Sequence, residues 1–220
     1  MARNKHPEET VNLILRTAAR LFAEKGYDET SIQDIISVTR LSKGAIYHHF
    51  ASKEEIFIRI CEHIGRENEA QLSRVRDSKT LNGQEKMREI FRCALLSDNQ
   101  QQMLSITPYL INSPKFLAMQ LRNIYEEVVP DFICPILEEG IADGSIQTQH
   151  PKELAEALMT LSDIWLHPLL QPTTPEEVRN RCALYNQMTR PFGMELLDGE
   201  LVEALVRYSR LLNQQALSLE

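Results

Sequence analysis

The stretch Ser42-Lys43-Gly44-Ala45-Ile46-Tyr47-His48-His49-Phe50-Ala51-Ser52-Lys53-Glu54, preceded by Thr30-Ser31-Ile32-Gln33-Asp34-Ile35, decides how this chain is read. Ser42 is placed to cap a short helix with Leu41, Ile46 and Phe50 facing inward, which leaves Lys43, Gly44, Tyr47 and His48 on the opposite side. Upstream, Thr30 followed by Gln33 has the form of a capping box and opens another short helix carrying Ile32, Ile35 and Ile36. Downstream, Ser52 and Glu55 form a second box ahead of a helix that buries Ile56, Phe57, Ile60 and Ile64. A longer helix precedes all of these. From Pro7 to Gly26 the residues Val11, Ile14, Leu15, Ala18, Leu21 and Phe22 recur at three- and four-residue steps, and Gly26 supplies the stop.

Two short helices joined by a tight turn, braced by a longer helix on each side, present a recognition helix to the major groove. The exposed chemistry suits that task. Ser42 and Tyr47 can donate to phosphate, Lys43 can meet phosphate or a guanine edge, and Gly44 with Ala45 lets the backbone approach DNA closely. Lys53 adds positive charge beside the free N–H groups of the next helix start.

The rest of the 220 residues also reads as helix, so the fold class expected is all-α: a helix-turn-helix head over residues 1–64 and a second helical domain over 65–220. Apolar residues at 43% and charged residues at 25% are ordinary globular values, and eight glycines are too few for a loop-rich β-sandwich. Breaks are expected near Asn82-Gly83, Ser113-Pro114, Asp143-Gly144, His150-Pro151, Pro172 to Pro175, and Leu197 to Gly199. Pro130 and Pro135 should kink or divide the helix that contains them.

Net charge is −7, yet residues 1–63 hold 9 basic and 9 acidic residues, so the excess lies wholly beyond them. A neutral head on an acidic body suits a protein that touches nucleic acid at one end, not one that coats it. Cys61, Cys93, Cys134 and Cys182 form no C-x-x-C pair and are expected as buried free thiols. The adjacent His48 and His49 cannot offer metal ligands at i and i+4, so no metal and no cofactor is expected. Arg16 and Arg20 interrupt the first apolar stretch and no membrane span is visible, which leads us to expect a soluble, cytoplasmic protein.

With these residues in hand, the chain resembles the TetR family of transcriptional regulators, whose head reads T-x-x-x-I, a short turn, then S-K-G-x-x-Y-x-H-F-x-S-K-E. The match covers roughly residues 8–64. The resemblance implies DNA contacts from Ser31 and Gln33 in the second helix, groove reading by Lys43, Gly44, Ala45, Tyr47 and His48, and a phosphate clamp at Lys53. One departure stands in the turn, where the family commonly has Ala-Gly and this chain has Thr39-Arg40. A positive φ there would strain Arg40 by roughly 1 kcal/mol relative to glycine, offset if Arg40 meets a phosphate.

The resemblance further implies a small-molecule pocket in the larger domain, with Met103, Tyr109, Phe116, Met119, Tyr125, Phe132, Met159, Trp165 and His167 as candidates for its lining. It also implies a homodimer formed by late helices, expected at 152–170 and 199–217 with Leu154, Leu158, Leu161, Leu201, Leu205, Tyr208 and Leu212 at the interface. Two recognition helices that meet half-sites one DNA turn apart require such symmetry, and hence a palindromic operator. The expected function is therefore a repressor released from its operator by a ligand. An activator, a corepressor-dependent regulator and a DNA-binding protein with no effector share these features. An enzyme is not expected: Asp163 and His167 lie one helical turn apart, but no third partner, nucleophile motif or phosphate loop accompanies them.

Overall fold

The computed structural model describes residues 7–96, 114–168 and 173–217, and among them every regular element is helical. They form two compact units, one through Glu67 and one from Asn68 onward.

The first unit opens with α1 (Pro7–Lys25), which has Glu8 and Glu9 in its first turn and Lys25 in its last, both signs matching the helix dipole. Its apolar face is fully committed: Ile14, Ala18 and Phe22 have no exposed surface. Gly26, at φ 90°, ends the helix by donating its N–H to Phe22 O at 2.9 Å. Helix α2 (Ile32–Thr39) follows, and its cap differs from the sequence expectation by one residue. Ser31 and Asp34 form the capping box, not Thr30 and Gln33. Thr30 is buried, and its hydroxyl donates to Leu21 O and Gly26 O, two carbonyls at the end of α1. With that hydroxyl spent, the neighbouring serine takes the cap.

Helix α3 (Lys43–His49) is capped by Ser42, whose Oγ accepts from Ala45 N–H at 3.1 Å, and it buries Ile46. Helix α4 (Lys53–Arg76) starts where Ser52 Oγ accepts from Glu55 N–H, while the Glu55 carboxylate reaches back to Ala51 N–H at 2.6 Å. Ile56, Phe57 and Ile60 of α4 complete the core of this unit, where Phe22, Tyr27 and Phe57 form a ring cluster with centroids 5.1–6.2 Å apart.

Between α2 and α3 the chain turns at Arg40, at φ 57° and ψ 20°. Among the described residues it is the one non-glycine residue with positive φ. The left-handed turn expected of the family's glycine is thus present, and arginine bears it. Its N–H closes α2 on Ile36 O at 2.8 Å.

In the second unit, α5 (Gly83–Leu96) packs on α7 (Cys134–Asp143) and α10 (Gly199–Leu217). Helix α6 (Pro114–Asn123) joins α7 through Ile124–Ile133, a run of wider i→i+5 turns, so that Pro130 neither divides the helix nor ends it. A proline clashes with the carbonyl four residues back in an α-helix, and the wider turn accommodates it. Pro135 sits in the first turn of α7, where its missing N–H costs little. Helix α8 (Pro151–Thr160) runs on into similar wide turns at Leu161–Leu166. Then comes α9 (Pro175–Thr189), capped by a Thr174/Glu177 box. All four cysteines are free, but only Cys182 is buried, the other three being partly exposed.

Gly83 and Gly140 let α5 and α7 approach closely. A Cβ on Gly83 would fall 2.2 Å from Gly140 Cα and 3.0 Å from Ile136 O, contacts with backbone that no rotamer relieves. Beside this crossing, Gly83 N–H donates to Asp143 Oδ2, and buried Lys86 bridges Arg76 O and Glu139.

Two stability changes follow from these backbones. Arg40→Gly should raise thermal stability by about 1 kcal/mol, because it removes the left-handed strain. Gly83→Ala should cost about 2 kcal/mol through overpacking. Urea unfolding curves for the two variants check both signs.

Candidate nucleic-acid interface

Ser42, Lys43, Gly44, Tyr47 and His48 all lie exposed on one side of α3 and its cap, with Tyr47 at 46% exposure although it is a large aromatic. Ala45 is partly exposed beside them. Ile46 and Phe50, on the other side, are buried. The face is also ordered within itself: Lys43 Nζ sits 5.7 Å from the Tyr47 ring centroid, a cation–π pair that holds both side chains outward.

Gly44 is informative by what surrounds it. A Cβ there would meet nothing within 4 Å, and its φ is not positive, so neither packing nor backbone conformation within the chain calls for glycine. Glycine in a helix costs about 0.5–1 kcal/mol relative to alanine.

Around this face, Gln33 is exposed on α2 and free of the capping role the sequence suggested for it. Ser31 is exposed but occupied: its hydroxyl donates to Asp34 Oδ2 at 2.5 Å and accepts from Asp34 N–H at 3.1 Å. The Ser31 hydroxyl and N–H, then Lys25 at 3.0 Å, hold the Asp34 carboxyl far below the usual carboxylate range. The one acid on α2 is thereby neutralised by a neighbouring ammonium. Arg40 is exposed at the turn.

Lys53 is placed differently from a free surface charge. Its ammonium donates to Tyr27 O at 2.6 Å and Asp28 O at 3.3 Å, and it lies 4.3 Å from the Tyr27 ring centroid. Burial shifts its pKa down, against the pull of Asp28 and Glu29. Lys53 therefore ties the start of α4 to the loop before α2, and a phosphate contact has one of its three donors left.

Two hollows among the described residues of the second unit are of a size to consider. One, of about 310 Å³, is an apolar groove between α8 and α9 bounded by Leu154, Leu158, Leu161, Tyr185, Met188 and Phe192. The other, of about 50 Å³, is a recess among α5, the turns after α8, and α10, where Asp163 and His167 stand among apolar side chains. Of the residues expected to line a ligand pocket, Met159 and His167 line this recess. Three others are elsewhere and correct that expectation. Tyr125 is exposed with its hydroxyl 3.0 Å from Thr160 Oγ1, Phe132 is core beneath the Arg76 guanidinium, and Trp165 lies under Arg181. Met119 is half-buried on α6 and borders neither hollow. Met103, Tyr109 and the side chain of Phe116 lie outside the described residues.

The expected dimer residues also need correction. Leu154, Leu158, Leu201, Leu205 and Tyr208 are buried within their own subunit, at 9% exposure or less, and such side chains have no surface to give a partner. Leu161 and Leu212 are half-buried. Among the described residues, the large apolar side chains exposed on the late helices are Leu184 and Met188 of α9 and Leu211 of α10. Periodicity located the apolar stripes but could not tell inner from outer faces, and α9 was overlooked.

The chain is similar to known bacterial regulators. Residues 14–60 match the model of bacterial regulatory proteins of the tetR family. The HTH-type transcriptional repressor AcnR of Corynebacterium glutamicum is 27% identical over 159 residues, 72% of this chain and 80% of that protein. The HTH-type transcriptional regulator YerO of Bacillus subtilis is 50% identical over 50 residues, 23% of this chain and 17% of YerO. The fold is shared with a transcriptional regulator from Cytophaga hutchinsonii, with a TM-score of 0.63 at 15% identity over 94% of this chain and 98% of that one. Salmonella enterica GusR has a TM-score of 0.59 at 21% identity over 97% of this chain and all of its own. The head built by α1 to α4 is thus similar, over residues 14–60, to bacterial regulatory proteins of the tetR family.

Proposed function

We propose that this chain is a transcriptional repressor that binds palindromic operator DNA as a homodimer and is released by a small molecule held in its C-terminal domain. Residues 1–64 serve as the DNA-binding domain and residues 65–220 as the ligand-binding and dimerisation domain. The exposed face of α3 carries this reading, above all the coexistence of an exposed Tyr47 with a glycine at position 44 that the chain itself does not need. Lys43, Tyr47 and His48 reach base edges and phosphates; Ser42, Arg40 and Gln33 add contacts around them; Gly44 and Ala45 keep the helix surface low enough for the groove. The likeness to AcnR, named a repressor, over most of the chain supports repression.

Dimerisation brings two such helices to successive major grooves. Leu184 and Met188, four residues apart on α9, with Leu211 on α10, offer exposed apolar surface for it. A ligand releases the operator to the extent that it prefers the conformation whose heads are wrongly spaced, and the coupling is reciprocal: DNA weakens ligand binding by the same factor.

Tyr47→Phe and Lys43→Ala should each weaken binding to the DNA upstream of the chain's own coding region by about tenfold, measured by fluorescence anisotropy, without loss of thermal stability. Gly44→Ala should separate the two properties, gaining about 0.5–1 kcal/mol in stability while losing operator affinity. Wild-type affinity in all three would refute the assignment of this face. For the dimer, Leu184→Glu combined with Met188→Glu should yield monomers by light scattering, and an unchanged dimer mass would remove α9 from the interface.

A further inference from the structure

Lys53 opens α4 with its ammonium turned back onto the protein. The two carbonyls it holds, Tyr27 O and Asp28 O, are consecutive, and the Tyr27 ring covers one side of the same group. Its charge is shared as well, because Asp28 and Glu29, both exposed, lie near enough for it to feel their field. Arg40 and Lys43 carry their charges exposed on the surface instead. Phosphate attraction therefore has better sources in this head than Lys53, and the energy of its hydrogen bonds goes into the fold.

The carbonyls that Lys53 holds occupy a decisive place in the chain. Tyr27 O also accepts the Thr30 N–H at 3.3 Å, which closes the turn between α1 and α2. The Thr30 hydroxyl anchors that turn to the end of α1, and the next residue, Ser31, caps α2. Lys25 adds a second tie from the end of α1 to Asp34 in the first turn of α2. Toward α4 the turn is held by the edge contact of Tyr27 with Phe57, at 5.7 Å between ring centres, and by Lys53. Apolar contact is non-directional and lets the turn slide, whereas charge-assisted hydrogen bonds to two successive carbonyls fix its distance and its direction. From Ser31 the chain runs through the eight residues of α2 to the left-handed turn at Arg40 and on into α3. A shift of the α1–α2 turn against α4 is thus passed to the start of α2 and from there to α3.

We propose that Lys53 is a positioning residue for base recognition: by holding Tyr27 O and Asp28 O it sets the place of α2 and, through the turn at Arg40, of α3, and it contributes to sequence discrimination without contacting phosphate. Base edges are read by hydrogen bonds of fixed geometry, which a displaced α3 cannot form, while attraction to phosphates survives a small displacement. The inference rests on the reading of α3 as the DNA-binding helix.

Lys53→Met keeps an unbranched stem against the Tyr27 ring and removes both the hydrogen bonds and the charge. Its binding is compared with wild type by anisotropy, on the DNA upstream of the coding region and on random DNA of equal length, across a series of salt concentrations. The variant should lose about tenfold on the upstream DNA and less than about twofold on random DNA, with the slope of log affinity against log salt unchanged. An equal loss on both DNAs overturns the proposal, and a slope shallower by about 0.9 per head then identifies a phosphate contact. Undiminished affinity for the upstream DNA overturns it as well. Should the variant fail to fold, NMR of the side-chain ammonium groups of the wild-type protein decides. Adding the upstream DNA should leave the Lys53 signal in place, and a shift there as large as that of Lys43 overturns the proposal. If the wild type itself binds both DNAs alike, the reading of α3 fails and this inference falls with it. A wild type that discriminates, beside a variant that discriminates equally well, overturns this inference alone.

Discussion

The arrangement rests on holding a seven-residue helix in place. Helices this short do not persist in water, because too few hydrogen bonds repay the cost of nucleation. Helix α3 exists because Ile46 is completely buried and Phe50 nearly so, each such burial contributing about 1.5–3 kcal/mol, and because Ser42 satisfies its first turn. The left-handed turn at Arg40 then fixes where α3 begins relative to α2. Everything the helix shows outward, from Lys43 to His48, inherits its position from these inward and terminal constraints. Lys53 and the Phe22–Tyr27–Phe57 cluster brace the same unit by linking the start of α4 to the loop that precedes α2.

Most of this was legible in the sequence because each element carries a local signature. The inward face of α3, its Ser42 cap, the stop at Gly26 and the starts at Gly83, Pro151, Pro175 and Gly199 follow from periodicity and cap chemistry alone. The capping box of α2 was misplaced by one residue because Thr30 and Ser31 are both good caps, and only the packing of Thr30 under the end of α1 decides between them. Pro130 was legible as an irregularity but not as its form: it does not divide the helix, and the wide turns that absorb it leave no mark in the sequence.

The second unit was harder to read, and the reason is physical. Apolar stripes on successive helices look alike whether they face the core, a hollow or a partner. Leu205 illustrates this: expected at a dimer interface, it forms part of the recess wall, while Leu184 and Met188 carry the exposed apolar surface. Asp163 and His167 stood out by their spacing, but in the context of acid–base chemistry. The structure instead places both beside an apolar recess, with Asp163 exposed and bonded to the Ser162 hydroxyl and with burial keeping the His167 imidazole neutral.

The central claim is that the α3 face binds operator DNA specifically. The most direct measurement is anisotropy titration of the wild-type chain against the DNA upstream of its own coding region and against random DNA of equal length, across a series of salt concentrations. The account predicts dimeric binding that favours the upstream fragment and falls steeply as salt rises, since several phosphates are neutralised by each head. Equal affinity for both DNAs, or binding that ignores salt, would contradict it.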